Sequence, residues 1–268
     1  MNQSLSFLQP IAPRLDAPLF VYFPGMDGTG ELLVNQLEGL APYFDVRCLA
    51  IAPDEMHSWE DLTSAAIALL EQEVNRTPHR EVYLCGESFG GCLGMKVAVQ
   101  APHLISKLIL CNPASAFVKR PFFKLAIPLL NYIPDLVHRS SALALLPFLA
   151  SLGRIAKGDR QALLKAMKSV SAQVVSWRLS LLRDFYIKDQ NFQNFDKPVL
   201  ILAGAQDRLL PSIQEAEFLT QRFPQAQSVV LPESGHACLL ETEIKLIEIL
   251  TRKQFWQENI DLASALNN

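Results

Sequence analysis

Residues 81–91 read EVYLCGESFGG, an apolar run that stops at a serine fenced by Gly86, Gly90 and Gly91. Val82, Tyr83, Leu84 and Cys85 are uninterrupted and β-prone, as in a strand of a parallel sheet buried on both faces. From Gly90 the pattern becomes helical: Leu93, Val97 and Ala101 recur at helical spacing, and the run ends before Pro102. Gly86, Ser88 and Gly90 therefore fit the G-x-S-x-G elbow, in which small neighbours let the backbone fold tightly enough to push one hydroxyl out of the turn. The pattern is short enough to recur by chance, and serine at a helix start is also a common N-cap. Context has to decide between the two roles.

That context is a regular alternation. Strands are predicted at LFVYF (19–23), FDVRCLAI (44–51), EVYLCG (81–86), KLILCN (107–112), PVLILAG (198–204) and QSVVLP (227–232). Helical spacing runs through 31–41, 61–76, 90–101, 212–223 and 241–256. Strand and helix in turn predict a mostly parallel sheet with helices on both faces. The alternation fails once, between Asn112 and Lys197, where helical periodicity and several prolines replace any convincing strand. An insertion leaving the end of KLILCN would sit over the carboxyl edge of the sheet, where such folds bind ligands. Residues 115–190 are read as a helical cap, with 1–114 and 191–268 as the core.

The chain has 268 residues, half of them apolar, enough for one large α/β domain with an insertion. A net charge of −3 and a pI near 6.0 offer nucleic acid no overall attraction, and no finger, RNP-like or recognition-arm pattern is present. Five scattered cysteines without a C-x-x-C pair read as reduced core residues rather than a metal or redox site, and no cofactor is expected. The amino-terminal stretch MNQSLSFLQPIAPRLDAPLF lacks a basic segment followed by an apolar run, so a cytoplasmic location is expected. The most apolar region, 121–152, is broken by Pro121, Pro128, Pro134 and Pro147, which excludes a spanning helix there.

A serine hydroxyl is a poor nucleophile near neutral pH, so Ser88 needs a base, and the base needs an acid that sets its tautomer. In this type of fold they follow the serine in the order acid, then histidine, each from a strand's carboxyl end. Asp207, three residues beyond the Gly204 that closes PVLILAG, meets the first requirement, against the reading of a turn aspartate. His236 in LPESGHACLLE meets the second; His57, His79, His103 and His138 have no such station. The alternative acid site after KLILCN offers only Asn112 and Ser115. Acyl chemistry also needs donors for the oxygen that becomes negative. The amide of Phe89, next after the nucleophile, is one; the other is expected from Met26 in VYFPGMDGTGELL, the loop after the first central strand. A phosphate-cradling role for that loop fails, because its glycines match neither G-x-x-x-x-G-K-[ST] nor G-x-G-x-x-G and Asp27 would repel an anion. Asp27 is expected to hydrogen-bond within the turn.

Gly86 to Gly91 with Asp207 and His236 in order resemble an α/β-hydrolase. PGMDGTG, GESFGG, VVSWRLSLLRD, QDRLLPSIQEAEFL and SGHACLLE together resemble the hydrolase half of the plastid esterase, lipase and thioesterase family called phytyl ester synthases, over about residues 19–250. The resemblance implies acyl transfer to or from lipid alcohols, with Ser88, Asp207 and His236 as triad and Met26 and Phe89 as oxyanion donors. Plant members continue into an acyltransferase half marked H-x-x-x-x-D, which no histidine here matches; His57 comes nearest, with Asp61 one position too close. The chain is therefore expected to act as the hydrolase half alone, which counts against synthesis of phytyl esters.

Residues 115–190 hold twelve Lys and Arg against four Asp, a net of +8; the rest of the chain holds twelve basic against 23 acidic residues, a net of −11. With apolar runs such as FFKLAIPLLNYI and ALALLPFLASL, that charge suits an anionic lipid surface or an acyl chain, or else a cap that simply pairs with an acidic body. Trp177, Leu181, Leu182 and Phe185 lie at helical spacing and face either the pocket or the cap's own core. Three functions compete: a serine hydrolase of lipid-like carboxylic esters, a transacylase or thioesterase using the same acyl-enzyme, and a catalytically silent receptor. The expected partner is a small acyl ester or lipid.

Overall fold

A computed structural model describes residues 4–119, 146–148 and 151–257. His138, FFKLAIPLLNYI and much of ALALLPFLASL lie outside the described residues. Among the described residues one sheet holds seven strands in the order β1-β3-β2-β4-β5-β6-β7. They are β1 (Leu5–Leu8), β2 (Leu19–Phe23), β3 (Asp45–Ile51), β4 (Val82–Glu87), β5 (Lys107–Cys111), β6 (Val199–Gly204) and β7 (Ala226–Leu231). From β3 to β7 every neighbouring pair is parallel, while β1 lies antiparallel on β3 with Leu5 opposite Ile51. β1 adds to the predicted set. It is four residues long with only Leu5 buried, so it carries no apolar run to read.

The longer α-helices among the described residues are α1 (Val34–Leu40), α2 (Trp59–Arg76), α3 (Phe89–Gln100), α4 (Lys157–Ser169), α5 (Ala172–Arg183), α6 (Asp189–Gln193), α7 (Ser212–Thr220) and α8 (Leu246–Arg252). α2 starts two residues before the periodicity suggests because Ser58 caps it: its hydroxyl oxygen accepts from the Asp61 amide at 3.2 Å. None of these helices is long and apolar enough to cross a membrane.

Each central strand feeds two cores. Leu19, Val21 and Phe23 of β2, with Leu84, Leu108 and Ile201, face the side covered by α2, α3 and α7; Phe20 and Tyr22, with Tyr83, Ile109 and Leu200, face α1 and α8. The period of two along a strand therefore explains why these runs are apolar throughout. Fully burying each Leu, Ile or Phe contributes about 1.5–3 kcal/mol. All five cysteines are free and buried. Leu181 and Leu182 of α5 sit in the first of these cores, with Trp177 and Phe185 packed against it, so α5 rests on the sheet's own covering layer. A third, smaller cluster joins Leu163 and Ala166 of α4 to Leu32 and Leu240, from the loops after β2 and β7. Helix α4 thus packs on loops at the carboxyl edge.

β2 has β3 on one side and β4 on the other, so successive connections run in opposite directions from this point. The crevice outside the carboxyl ends of strands at such a switch is where parallel α/β sheets bind ligands.

Candidate active site

The carboxyl ends of β2, β4, β6 and β7 bring the site together. Ser88 follows β4 directly and adopts φ 54° and ψ −114°, a left-handed conformation rare outside glycine. It stands at the N-cap position of α3, yet its side chain makes no capping hydrogen bond. Its hydroxyl lies instead 2.8 Å from His236 Nε2. The backbone is over-determined around it: the Ser88 amide donates to the Cys111 carbonyl at 3.0 Å, and the Ser88 carbonyl accepts from Gly91 and Ala114 at 3.0 Å each. Gly90 is needed for close approach, since a Cβ there would collide with the Phe23 and Pro24 carbonyl oxygens. The start of α3 is thereby pressed against the loop that follows β2.

His236 Nδ1 lies 2.7 Å from Asp207 Oδ2. A carboxylate only accepts, so Nδ1 carries the hydrogen, and Nε2 of the neutral ring is left to accept from the Ser88 hydroxyl. Asp207 is itself held by the Ser212 hydroxyl at 2.5 Å and by the Leu209 and Leu210 amides at 2.8 and 2.9 Å. Burial works to raise the Asp207 pKa, but the charge and hydrogen bond of His236, then Ser212 and the Leu210 amide, outweigh it and hold the carboxyl below its ordinary 3.8. Burial likewise opposes the charged imidazole, and Asp207, with a further contribution from Glu87, raises His236 above its ordinary 6.5. Ser88, Asp207 and His236, which the sequence picks out separately, form one hydrogen-bonded line.

Phe89 follows Ser88 directly, and Met26 follows Gly25 in the loop after β2. A Cβ on Gly25 would lie 3.9 Å from Ser88 Cβ, so the loop after β2 runs beside the nucleophile. Neither the Met26 nor the Phe89 amide donates a hydrogen bond to another of the described residues. The Phe89 ring is buried and stacked on Trp59 with centroids 4.8 Å apart. Asp27 accepts from the Thr29 amide and hydroxyl at 2.9 and 2.5 Å, the turn bonding expected of it. His57 lies instead against Glu55, at 2.7 Å and largely exposed, and takes no part in this line.

Four supporting side chains carry no signal that sequence reasoning used. Asn112, at φ 43° after β5, donates to the carbonyls of Gly235 and His236 at 3.1 and 2.6 Å and accepts from the Gly204 amide at 2.7 Å. It ties the histidine loop to the end of β6. Glu241 accepts from the Gly235 amide at 2.8 Å and from Arg154 Nε at 2.8 Å, bracing the same loop from the other side. The backbone around it forms a short 3-10 turn at Cys238–Leu240 and a bridge from Glu241 to Ile155, so α8 begins at Leu246 rather than at 241. Glu87, beside the nucleophile, is 6% exposed and accepts from the Tyr22 hydroxyl at 2.5 Å. Burial pushes its pKa up to about 7. Ser212, five residues after Asp207, is the fourth, and a serine opening a helix reads first as a cap.

A family model described as serine aminopeptidase, S33, matches residues 52–243. Phytyl ester synthase 1, chloroplastic, of Arabidopsis thaliana is 32% identical over 261 residues, which take in 89% of this chain and 37% of that protein. The chain thus spans little more than a third of that relative's length. Pimeloyl-(acyl-carrier protein) methyl ester esterase of Vibrio campbellii is 27% identical over 229 residues, 82% of this chain and 88% of that one. In structure, an esterase from Exiguobacterium antarcticum superposes with a TM-score of 0.74 at 16% identity, covering 94% of this chain and 95% of that one, a likeness of fold.

Proposed function

The chain belongs to the serine aminopeptidase S33 family of α/β-hydrolases, and from that premise we propose that it is a serine-dependent hydrolase of lipid-like carboxylic esters acting through an acyl-enzyme. The observation that carries the reading is the line Ser88 Oγ, His236 Nε2, His236 Nδ1, Asp207 Oδ2, with contacts of 2.8 and 2.7 Å. Ser88 Oγ attacks the acyl carbon while its proton passes to His236 Nε2. The carbonyl oxygen becomes an oxyanion held by the Met26 and Phe89 amides, a contribution of about 3–4 kcal/mol for each donor. Collapse breaks the bond to the alcohol, which leaves with the proton from Nε2. Water then attacks the acyl-enzyme with His236 again as base, and the free acid departs. Asp207 stays ionised throughout and holds the imidazole.

Residues 115–190 act as the cap in this reading, supported by the packing of α4 on Leu32 and Leu240 at the loops after β2 and β7. Their apolar composition favours medium or long acyl chains, and their net charge of +8 favours an anionic surface near the substrate. A second reading, transfer of the acyl group to a lipid alcohol in place of water, is favoured by the name of the Arabidopsis relative. One experiment addresses both. The purified chain is given esters from acetyl to stearoyl, with and without a rising concentration of fatty alcohol, beside Ser88→Ala. Free acid released by the unmodified chain, absent in Ser88→Ala together with fluorophosphonate labelling, is expected. Product ester exceeding free acid would replace hydrolysis by transfer; full activity in Ser88→Ala would refute both.

A further inference from the structure

Arg178, within VVSWRLSLLRD on α5, is 2% exposed; Asp27 and Glu55 lie near enough to favour its charge, but burial outweighs them, and among the described residues neither closes to an ion pair with it. A buried guanidinium in that state is expensive unless its donors are used. They go to backbone: Nη1 donates to the Met26 carbonyl at 2.7 Å and Nη2 to the Ala52 carbonyl at 3.1 Å. Space is cleared for it at Gly28, where a Cβ would lie 2.8 Å from Nη1 and where φ is +71°. The Gly28 amide closes a turn on the Gly25 carbonyl at 3.1 Å, which makes Met26–Asp27 the turn's central peptide. That peptide carries the Met26 carbonyl and the Asp27 amide, and the guanidinium ties it, and with it the turn as a body, to the Ala52 carbonyl after β3.

We propose that Arg178 is a positioning residue for acyl transfer: from α5 it bridges the Met26 and Ala52 carbonyls, tying the turn that carries the Met26 amide to the loop after β3 and so holding that turn in place beside Ser88. The inference rests on the oxyanion role given to that amide above. It gains from the way α5 is docked, because Trp177 Nε1 donates to the His57 carbonyl at 3.0 Å and Trp59 Nε1 to the Leu181 carbonyl at 2.7 Å. The helix is therefore anchored by two bonds that do not involve the guanidinium, and Arg178→Met removes the fork while keeping an apolar stem.

The test compares the unmodified chain, Arg178→Met, Arg178→Lys and Ser88→Ala, each titrated for reactive sites with a fluorophosphonate. kcat and KM are measured on the best ester, and affinity for a trifluoromethyl ketone, whose adduct carries an oxyanion, is measured beside them. Per reactive site, Arg178→Met is expected to lose about 10–100-fold in kcat with KM within about threefold, since a displaced donor forfeits part of what a deleted one does. Ketone affinity should fall in parallel, and Arg178→Lys, which keeps one donor, should recover part of both. An unchanged kcat per reactive site, or a loss confined to KM, overturns the proposal while leaving the hydrolase reading in place. Activity that survives in Ser88→Ala would sink the reading and the proposal together.

Discussion

Ser88 holds a conformation that costs about 1–3 kcal/mol outside glycine, and its neighbours keep it there by hydrogen bonds on both sides of the residue. The histidine it meets must be neutral to accept a proton. Because Asp207 raises His236 above its ordinary 6.5, kcat/KM should fall as pH drops through a value above 6.5. Asp207→Asn should move that limb down and lower kcat by about 10⁴-fold; a pH–rate profile from 5 to 9 reads both effects, and an unmoved limb would contradict the pairing. Glu87 makes a prediction of opposite kind. Its folded pKa of about 7 exceeds its ordinary 4.5, so between those values the folded chain keeps a proton that the unfolded chain has released. Stability from this group is fully present below the ordinary value and is lost as pH rises through about 7, about 3 kcal/mol in all. Denaturant unfolding at pH 5 and pH 8 should show that loss in the unmodified chain and not in Glu87→Gln; identical pH dependence in the two would refute it.

At the scale of elements, each strand ends in a loop whose function depends on a neighbour. Asn112 shows this most clearly, for it leaves β5 and holds both the end of β6 and the loop after β7. Asn112→Ala would leave two carbonyls and one amide without their partner, a loss of roughly 3 kcal/mol. Denaturant unfolding should register that loss, and kcat should fall more than KM rises because the histidine loop is released. A change in stability within about 0.5 kcal/mol, the usual scatter of surface substitutions, would mean the loop is held elsewhere. The strand that carries Cys85 and the helix that carries Gly90 are legible because one apolar run and two glycines suffice to specify them. Asn112 is not, since its partners lie 92 to 124 residues away and a polar residue after a strand reads first as a turn. The same distance hides Arg178, whose partners lie 126 and 152 residues earlier.

Across the whole molecule, stability and chemistry are separable. Asp45 and Arg47 of β3, Glu73 of α2 and Arg80 form a buried ionic network, with Arg47 bonded to Asp45 at 2.6 Å and to Glu73 at 2.9 Å. Asp45 opens β3, at the end of the strand opposite to the edge that carries Ser88. Breaking such a pair from one side leaves an uncompensated buried charge, so Glu73→Ala should lose about 3–5 kcal/mol. Turnover per fluorophosphonate-reactive site should nevertheless stay within about twofold. A drop in turnover matching the loss of stability would show that this network and the carboxyl edge are coupled.

The order of strands and helices, the two-faced burial of the sheet and the three polar residues at strand ends follow from local signals: apolar period, glycine punctuation, and chain order. These are read within a few residues of each other, which is why they survive without coordinates. The short antiparallel β1, the resting of α5 on the main core, and the side chains that hold the site still are decided by packing alone. Asn112, Glu87 and Arg178 pair with groups far along the chain through contacts with no sequence period, and Ser212, though only five residues from Asp207, reads first as a cap, so only the folded arrangement selects these four from other polar residues of the same type.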